Sequence, residues 1–312
     1  MSTLAGLTIC CLVSGAATAH LLLQIAGTLL LLAAVPASRL HLATFLWCFS
    51  YLTFFRVSAR LGLPEPPAHT NAIILILTLK LVGLAFEVHD SAAEAEADTE
   101  KVERLRPGVL DTLHYCLGHI GLITGPYYKF STWRGLYSDP WNPAVSGARG
   151  VCEAAAVSRA RWVPLHVLLF LVSGYLFPLS VVETEEWQRD SSLLWKLFYM
   201  APVFFNFRMR IYAGFTLSEC ACIMAGLGAY PASSQPRPGQ GPTLKITDWR
   251  PEAAEDKETV NFEAVHNIDE WGSDFVPSMR AALRCWNMTV QHWLVFTVYK
   301  RFPIRYVIVN CQ

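Results

Sequence analysis

The constraint that outweighs all others in this chain is its series of apolar runs as long as a lipid bilayer is thick. Leu4 to Val35 is almost continuously apolar, with only His20 and Gln24 as larger polar residues inside it. Leu40 to Phe55, Asn71 to Val88, Trp162 to Val182, Leu193 to Phe207 and Ile211 to Tyr230 follow, with weaker runs at Val109–Ile123 and Met288–Tyr299. A helix needs about 20 apolar residues to cross the hydrocarbon core. Within lipid every backbone N–H and C=O must find its partner inside the segment or in a closed barrel, and these runs lack the polar/apolar alternation of barrel strands. The expectation is therefore an all-α, polytopic membrane helical bundle with about six to eight membrane segments, forming one membrane domain over residues 1–312. Composition agrees: 53% of residues are hydrophobic and 16% charged, against about a quarter charged in soluble domains. A soluble two-domain protein has no use for so many such runs.

The punctuation between runs is chemical. Pro36 and Arg39 end the first run, and Arg56, Arg60, Gly62, Pro64, Pro66 and Pro67 mark the turn after the second. Ser91–Pro107 reads as a charged loop, Gly125-Pro126 as a helix breaker, and Lys129–Arg161 as interfacial or looped. Residues 231–284 form the longest polar stretch. Its Pro/Gly/Ser-rich beginning, 231–242, reads as flexible, and acidic residues from Asp248 to Glu263 follow. Lys/Arg-bearing stretches at Arg56/Arg60, Lys129–Arg161 and Arg208/Arg210 compete for the cytosolic side under the positive-inside bias. No internal repeat is visible, which argues against a transporter built from inverted repeats.

Several classes are excluded by charge and spacing. The formal net charge is zero, so there is no basic footprint for nucleic acid. The nine cysteines have no zinc-type spacing and sit mostly in apolar runs, which fits reduced, buried thiols and no metal. The N-terminal run has no preceding Lys or Arg and outlasts a signal-peptide core.

Four kinds of residue could carry chemistry. Asn287 places one amide among Trp286, Met288, Val290 and Trp293, where it could stabilise an oxyanion, glue two helices, or serve as the sequon Asn287-Met288-Thr289. Arg208 and Arg210, with Tyr212 beside them, could bind phosphate bidentately or anchor a helix at the head groups. Lys80 is a charge inside an apolar helix, a binding candidate by default and otherwise one half of an ion pair with a buried carboxylate: Glu219, or Glu87, which lies near the same face but too far along the axis for direct contact. His292 lies about 140° from Asn287 on a helix, which disfavours it as a base; His114, His119 and His266 read as packed or interfacial.

Read in order, the motifs resemble the membrane-bound O-acyltransferases. Those of Thr70-Asn71-Ala72, Leu77-Thr78-Leu79-Lys80-Leu81-Val82, Thr124-Gly125-Pro126, Phe198 to Phe205, Phe207-Arg208-Met209-Arg210, Gly228-Ala229-Tyr230-Pro231, Asn267-Ile268-Asp269 and Trp286-Asn287-Met288-Thr289-Val290-Gln291 are similar to the lysophosphatidylinositol acyltransferase branch over roughly Leu22 to Lys300. The resemblance implies transfer of a polyunsaturated acyl chain from acyl-CoA, as co-substrate, to lysophosphatidylinositol in the endoplasmic reticulum membrane. It makes Asn287 catalytic and assigns substrate contacts to Arg208, Arg210, Tyr212 and Lys80. No metal or redox cofactor is implied; the partners are acyl-CoA, a lysophospholipid and membrane lipids. The family's histidine follows its asparagine in a later apolar segment, and this chain ends at Gln312 before a matching position. The resemblance thus implies a form lacking the C-terminal third, with weak or no turnover. The alternative is a non-catalytic isoform that binds lipid or pairs with the full-length enzyme.

Overall fold

Gly15 decides how the first apolar run folds. In the computed structural model, which describes residues 2–62, 66–97, 104–244, 246 and 260–301, Gly15 adopts φ +53°. This left-handed residue, costly for any side chain, splits the run into α1 (Ser2–Ser14) and α2 (Thr18–Ala34) through a 3₁₀ turn. Pro36 then caps α3 (Ala37–Val57) with its fixed φ of −63°. The third run forms α4 (Ala68–Ala97), longer than the apolar stretch that announces it. It continues through the expected loop because Ala92–Ala97 contains only alanine and glutamate, both good helix formers.

Helix α4 is the pillar of the protein. Of its most apolar stretch, 78% is buried inside the protein, against 33% for each of the two preceding candidate spans and 11% for Arg149–Val182. Its flanks are α3 along one side and α1, α2, α5 (Val109–Leu117) and α6 (Phe130–Ser138) along others. The core gathers Ile74, Leu81, Val82 and Leu84 of α4 with Leu21, Phe55, Tyr115 and Trp293, all 1% exposed or less. The four stretches Ser2–Ala34, Ala37–Leu61, Ala68–Ala97 and Arg149–Val182 are long and apolar enough to cross a membrane.

Lys129–Arg161 is helical rather than looped. After α6 come α7 (Pro143–Ser146) and α8 (Arg149–Ala160), which leads straight into α9 (Val163–Leu176). Asn142 supplies the N-cap of α7, its side chain accepting from the Ala144 N–H at 2.9 Å with Pro143 at the first position. Short α10 (Leu179–Val182) and α11 (Glu185–Asp190) turn the chain into α12 (Leu193–Met224). This single 32-residue helix takes in both the Leu193–Phe207 and Ile211–Tyr230 runs. Arg208-Met209-Arg210 does not interrupt it: arginine is a strong helix former, and each guanidinium finds a local partner. One of the three Lys/Arg stretches competing for the cytosol is therefore no loop at all.

Beyond α12 the chain folds over the base of the site. Strand β1 (Tyr230–Pro231) pairs antiparallel with β2 (Val260–Asn261). The 231–242 stretch, whose composition suggested flexibility, carries a turn in which Arg237 N–H donates to Gly241 O at 2.9 Å and Gly239 N–H to Ala264 O at 2.9 Å. The acidic positions 248 to 258 and the tail 302–312 lie outside the described residues. Three short α-helices follow among the described residues: α13 (Glu270–Asp274), α14 (Met279–Cys285) and α15 (Met288–Leu294), the last running into a π-helical turn. The Trp293 indole N–H donates to Leu79 O at 3.0 Å and fixes α15 against α4. Among the described residues every cysteine is a free thiol, most of them buried.

Candidate functional site

Asn287 sits at a break between two helices. It joins α14 to α15 with φ +50° and ψ +51°, the left-handed conformation that asparagine tolerates better than other non-glycine residues. Its carbonyl accepts from the N–H groups of Val290 and Gln291, both at 3.1 Å, so the backbone opens α15 while the side chain is excluded from the cap. The amide is half-buried and has no hydrogen-bond partner among the described residues. The sequon reading falls here: the Thr289 side chain is fully buried, so an approaching glycosylation enzyme could not reach it.

The residue before Asn287 opens onto a hollow of about 420 Å³, within the range of small-molecule sites. Trp286 forms part of its wall, with Phe204, Arg208 and Tyr212 of α12 and Ser273 and Asp274 of α13. Trp286 lies 5.9 Å from the Tyr212 ring, centroid to centroid. Tyr212, 1% exposed, donates its hydroxyl proton to Asp274 Oδ1 at 2.9 Å. The Arg208 guanidinium donates to the same oxygen. Arg208 Nε and Ser273 Oγ are buried and have no partner among the described residues. The hollow is thus lined by the part-exposed Arg208 side chain, Ser273 and an aromatic wall. Tyr212 and Asp274 also border a second, 250 Å³ hollow, shared with His166, Leu169 and Trp271.

Of the residues singled out from sequence, Arg208 and Tyr212 come together at this hollow, and Asn287 adjoins it through Trp286 without lining it. Arg210 is exposed, its guanidinium 5.5 Å above the Phe207 ring. Lys80 lies elsewhere, 1% exposed. Its ammonium donates to the Tyr128 hydroxyl at 2.7 Å and to Tyr115 O at 3.2 Å, and stands 4.4 Å from the Tyr128 ring centroid. The expected ion pair of Lys80 with Glu87 or Glu219 does not form, because both carboxylates have other work. Glu87 accepts the N–H groups of Phe130 and Ser131 at 2.7 and 3.0 Å, capping the positive end of α6. Glu219 pairs with Arg159 at 2.6 Å.

Sequence reasoning missed Asp274, Arg159 and Glu270. Arg159 binds three acceptors: Glu219 Oε2 at 2.6 Å, Glu270 Oε2 at 3.1 Å and Ile268 O at 2.6 Å. Their signal was faint, since single charges in a stretch read as loop carry no periodicity. The histidines are also placed. His292 stacks over Phe296 at 6.0 Å. His114 and His119 meet the hydroxyls of Thr3 and Ser2. His266 bonds Glu263 Oε2 through Nδ1 at 3.1 Å and Ile268 O through Nε2 at 3.0 Å. Two acceptors require both ring nitrogens to carry protons, which is the imidazolium. Burial works against that charge, but the Glu263 hydrogen bond and the nearby Glu219 carboxylate outweigh it and raise the His266 pKa. The same hydrogen bond, against the opposing effect of burial, lowers the pKa of Glu263.

Fold and site together define a polytopic membrane protein with an amide-bearing helix break beside a hollow of about 420 Å³. The sequence model of the MBOAT, membrane-bound O-acyltransferase family matches residues 29–307. This chain belongs to that family. Relatives named membrane-bound acylglycerophosphatidylinositol O-acyltransferase MBOAT7 from Mus musculus and Homo sapiens are each 41% identical over 96% of this chain. The Drosophila melanogaster protein frj, of the same descriptive name, is 34% identical over 97% of it. In all three comparisons the chain spans 64% of the relative's length.

Proposed function

We propose that this chain takes part in acyl transfer from acyl-CoA to the free hydroxyl of a lysophospholipid, with lysophosphatidylinositol as acceptor, in the endoplasmic reticulum membrane. The observation that carries the reading is the left-handed Asn287, whose free amide stands one residue from the wall of the hollow. The names of the relatives support the acceptor.

In the proposed reaction the lysophospholipid oxygen attacks the thioester carbonyl. Charge develops on the carbonyl oxygen, the carbonyl re-forms as the C–S bond breaks, and the proton given up by the attacking hydroxyl ends on the departing CoA sulfur. The Asn287 amide N–H is suited to the developing oxyanion, a contact strengthened where water is scarce. The part-exposed Arg208 guanidinium suits a phosphate oxygen of either substrate, and it shares Asp274 Oδ1 with the Tyr212 hydroxyl. None of the histidines placed above is assigned the role of base, since His266 is engaged on both nitrogens and His292 is packed on Phe296.

The test is Asn287→Gly. Glycine keeps the left-handed backbone without strain and removes only the amide. With labelled acyl-CoA and lysophosphatidylinositol, turnover should fall about 10²–10³-fold while the unfolding midpoint stays within error. Undiminished turnover in Asn287→Gly would reject the assignment. Substrate binding without turnover in the unaltered chain would favour the lipid-binding reading instead.

A further inference from the structure

The motif Asn267-Ile268-Asp269 is a conspicuous part of the sequence, yet none of its side chains lines the hollow beside Asn287. Its position explains why. The segment runs between α12 and the α14–α15 break and bonds to both. On the break side, Asn267 O accepts the Met288 N–H at 2.7 Å, and Asp269 N–H donates to Cys285 O at 2.9 Å. The Asn267 side-chain oxygen accepts the Thr289 hydroxyl at 2.6 Å. That hydroxyl in turn accepts the Tyr127 N–H at 3.0 Å. On the α12 side, Glu219 Oε1 accepts the N–H groups of Asn267 and Ile268 at 2.8 and 3.1 Å. Asn267 is 2% exposed, and Thr289 and Glu219 are 0% and 1%. The turn is closed from the other side by Gly239, where a Cβ would lie 2.9 Å from Thr289 O.

We infer that Asn267 and Thr289 are positioning residues: a clasp that holds Asn287 in its left-handed conformation and so aims the amide. The inference rests on the reading of Asn287 as the residue that meets the reacting carbonyl. The bonds pin the residues on both sides of Asn287, Cys285 before it and Met288 and Thr289 after it, while leaving its own side chain unbound. A helix break that served packing alone would have no need of a free amide between neighbours whose backbone groups are tied down on both sides. Left-handed asparagine lies above its right-handed alternatives in energy, so the conformation persists only where neighbouring bonds over-determine it. Thr289 is the pivot, because its single hydroxyl both donates to Asn267 and accepts from Tyr127.

The experiment uses the full chain in lipid nanodiscs and compares Thr289→Val with Thr289→Ser. Valine matches the shape of threonine and removes the hydroxyl; serine keeps it. Two readouts are taken: amide hydrogen exchange across residues 286–294, and acyl-transfer kinetics with acyl-CoA and lysophosphatidylinositol. Thr289→Val should exchange faster in that window only, and kcat should fall about tenfold to a hundredfold, as displacements near 1 Å do. The KM for acyl-CoA should stay within about twofold, since the clasp touches no substrate. Thr289→Ser should restore both. Unchanged exchange in Thr289→Val, or faster exchange with kcat unaltered, overturns the clasp. If the unaltered chain shows no turnover, the acyl-transfer reading fails by itself, and exchange alone then supports or overturns the clasp. Should Thr289→Val not fold, Asn267→Ser withdraws the same acceptor and carries both readouts. Failure of both variants to fold would mark these residues as fold determinants and overturn a positioning role.

Discussion

Removing Arg159 should destabilise the protein strongly, and the loss should be partly reversible by a second mutation. The Arg159 guanidinium serves Glu219, Glu270 and Ile268 O at once. Arg159→Leu leaves the Glu219 carboxylate, 1% exposed, with two backbone donors and only the His266 imidazolium nearby, with no direct ion-pair partner. Breaking a buried pair from one side costs about 3–5 kcal/mol, chiefly because the surviving charge is stranded. Arg159 itself is 21% exposed, so water offsets part of this and the lower end, about 3 kcal/mol, applies. In Arg159→Leu with Glu219→Gln, the stranded charge is gone. The glutamine oxygen can still accept from Asn267 and Ile268, which leaves lost hydrogen bonds of about 1 kcal/mol each. The double mutant should thus recover about 1–2 kcal/mol over the single one. Reversible unfolding in mixed micelles, read by tryptophan fluorescence, gives the four corners of the cycle. A loss of under about 1 kcal/mol in Arg159→Leu, or a double mutant no better than the single, would refute the charge-stranding argument.

Further outcomes are specific. Arg208→Lys should raise the KM for the phosphate-bearing substrate about tenfold with a small effect on kcat, because lysine lacks the planar fork; steady-state kinetics checks this. Lys80→Met should leave acyl-CoA affinity unchanged in equilibrium binding, since Lys80 is spent on Tyr128 and Tyr115; a weakened affinity would return it to the substrate contacts. The Glu263–His266 pair should give a shallow stability maximum near pH 5–6.5. The raised pKa of His266 contributes stability that is complete below its ordinary value of 6.5 and fades as pH rises through the folded value. The lowered pKa of Glu263 contributes above its ordinary value of 4.5 and fades as pH falls through the folded value. Glu263 is 50% exposed, so the swing should stay under about 1 kcal/mol; His266→Gln should flatten the unfolding midpoint against pH.

How much could be read from sequence differs by type of signal. Apolar run length located α1 to α4, α9 and α12, because burial in lipid demands continuous apolar helix. Helix ends inside charged stretches were not legible: α4 continued past Val88 on Ala/Glu propensity, and α12 absorbed Arg208 and Arg210. The site was legible in part. Asn287, Arg208 and Tyr212 stand out as polar groups in apolar surroundings, and the structure places the latter two at one hollow with Asn287 adjoining. Their partners were not legible. Asp274 lies 62 residues from Tyr212, and Glu270 lies 111 residues from Arg159. Pairings at such separation leave no local pattern. Lys80 shows the reverse error: a buried cation suggested a carboxylate, but two tyrosines and a carbonyl serve it.

The distribution of burial bears on how such a site could work. α4 is enclosed by the protein, whereas Arg149–Val182 has only 11% of its most apolar stretch buried. On α9 and α12, Leu168, Leu171, Leu193, Leu194 and Phe198 are all more than half exposed. In water such faces would drive association, but hydrocarbon is as apolar as leucine, so in a bilayer they cost nothing and gain nothing by packing. The hollow beside Trp286 is walled on one side by α12, which packs on α8 and α9 yet leaves Leu193, Leu194 and Phe198 exposed. On the other side, the Asn287 turn is tied through Trp293 to α4, the most enclosed helix of the candidate spans. This asymmetry would suit the proposed acyl transfer, in which bulky acyl chains enter and leave while a single amide keeps its aim. It also accounts for the polar groups gathered behind the turn. With lipid exerting no inward pressure, directional bonds from Asn267, Thr289, Glu219 and Arg159 are what remain to fix the geometry there.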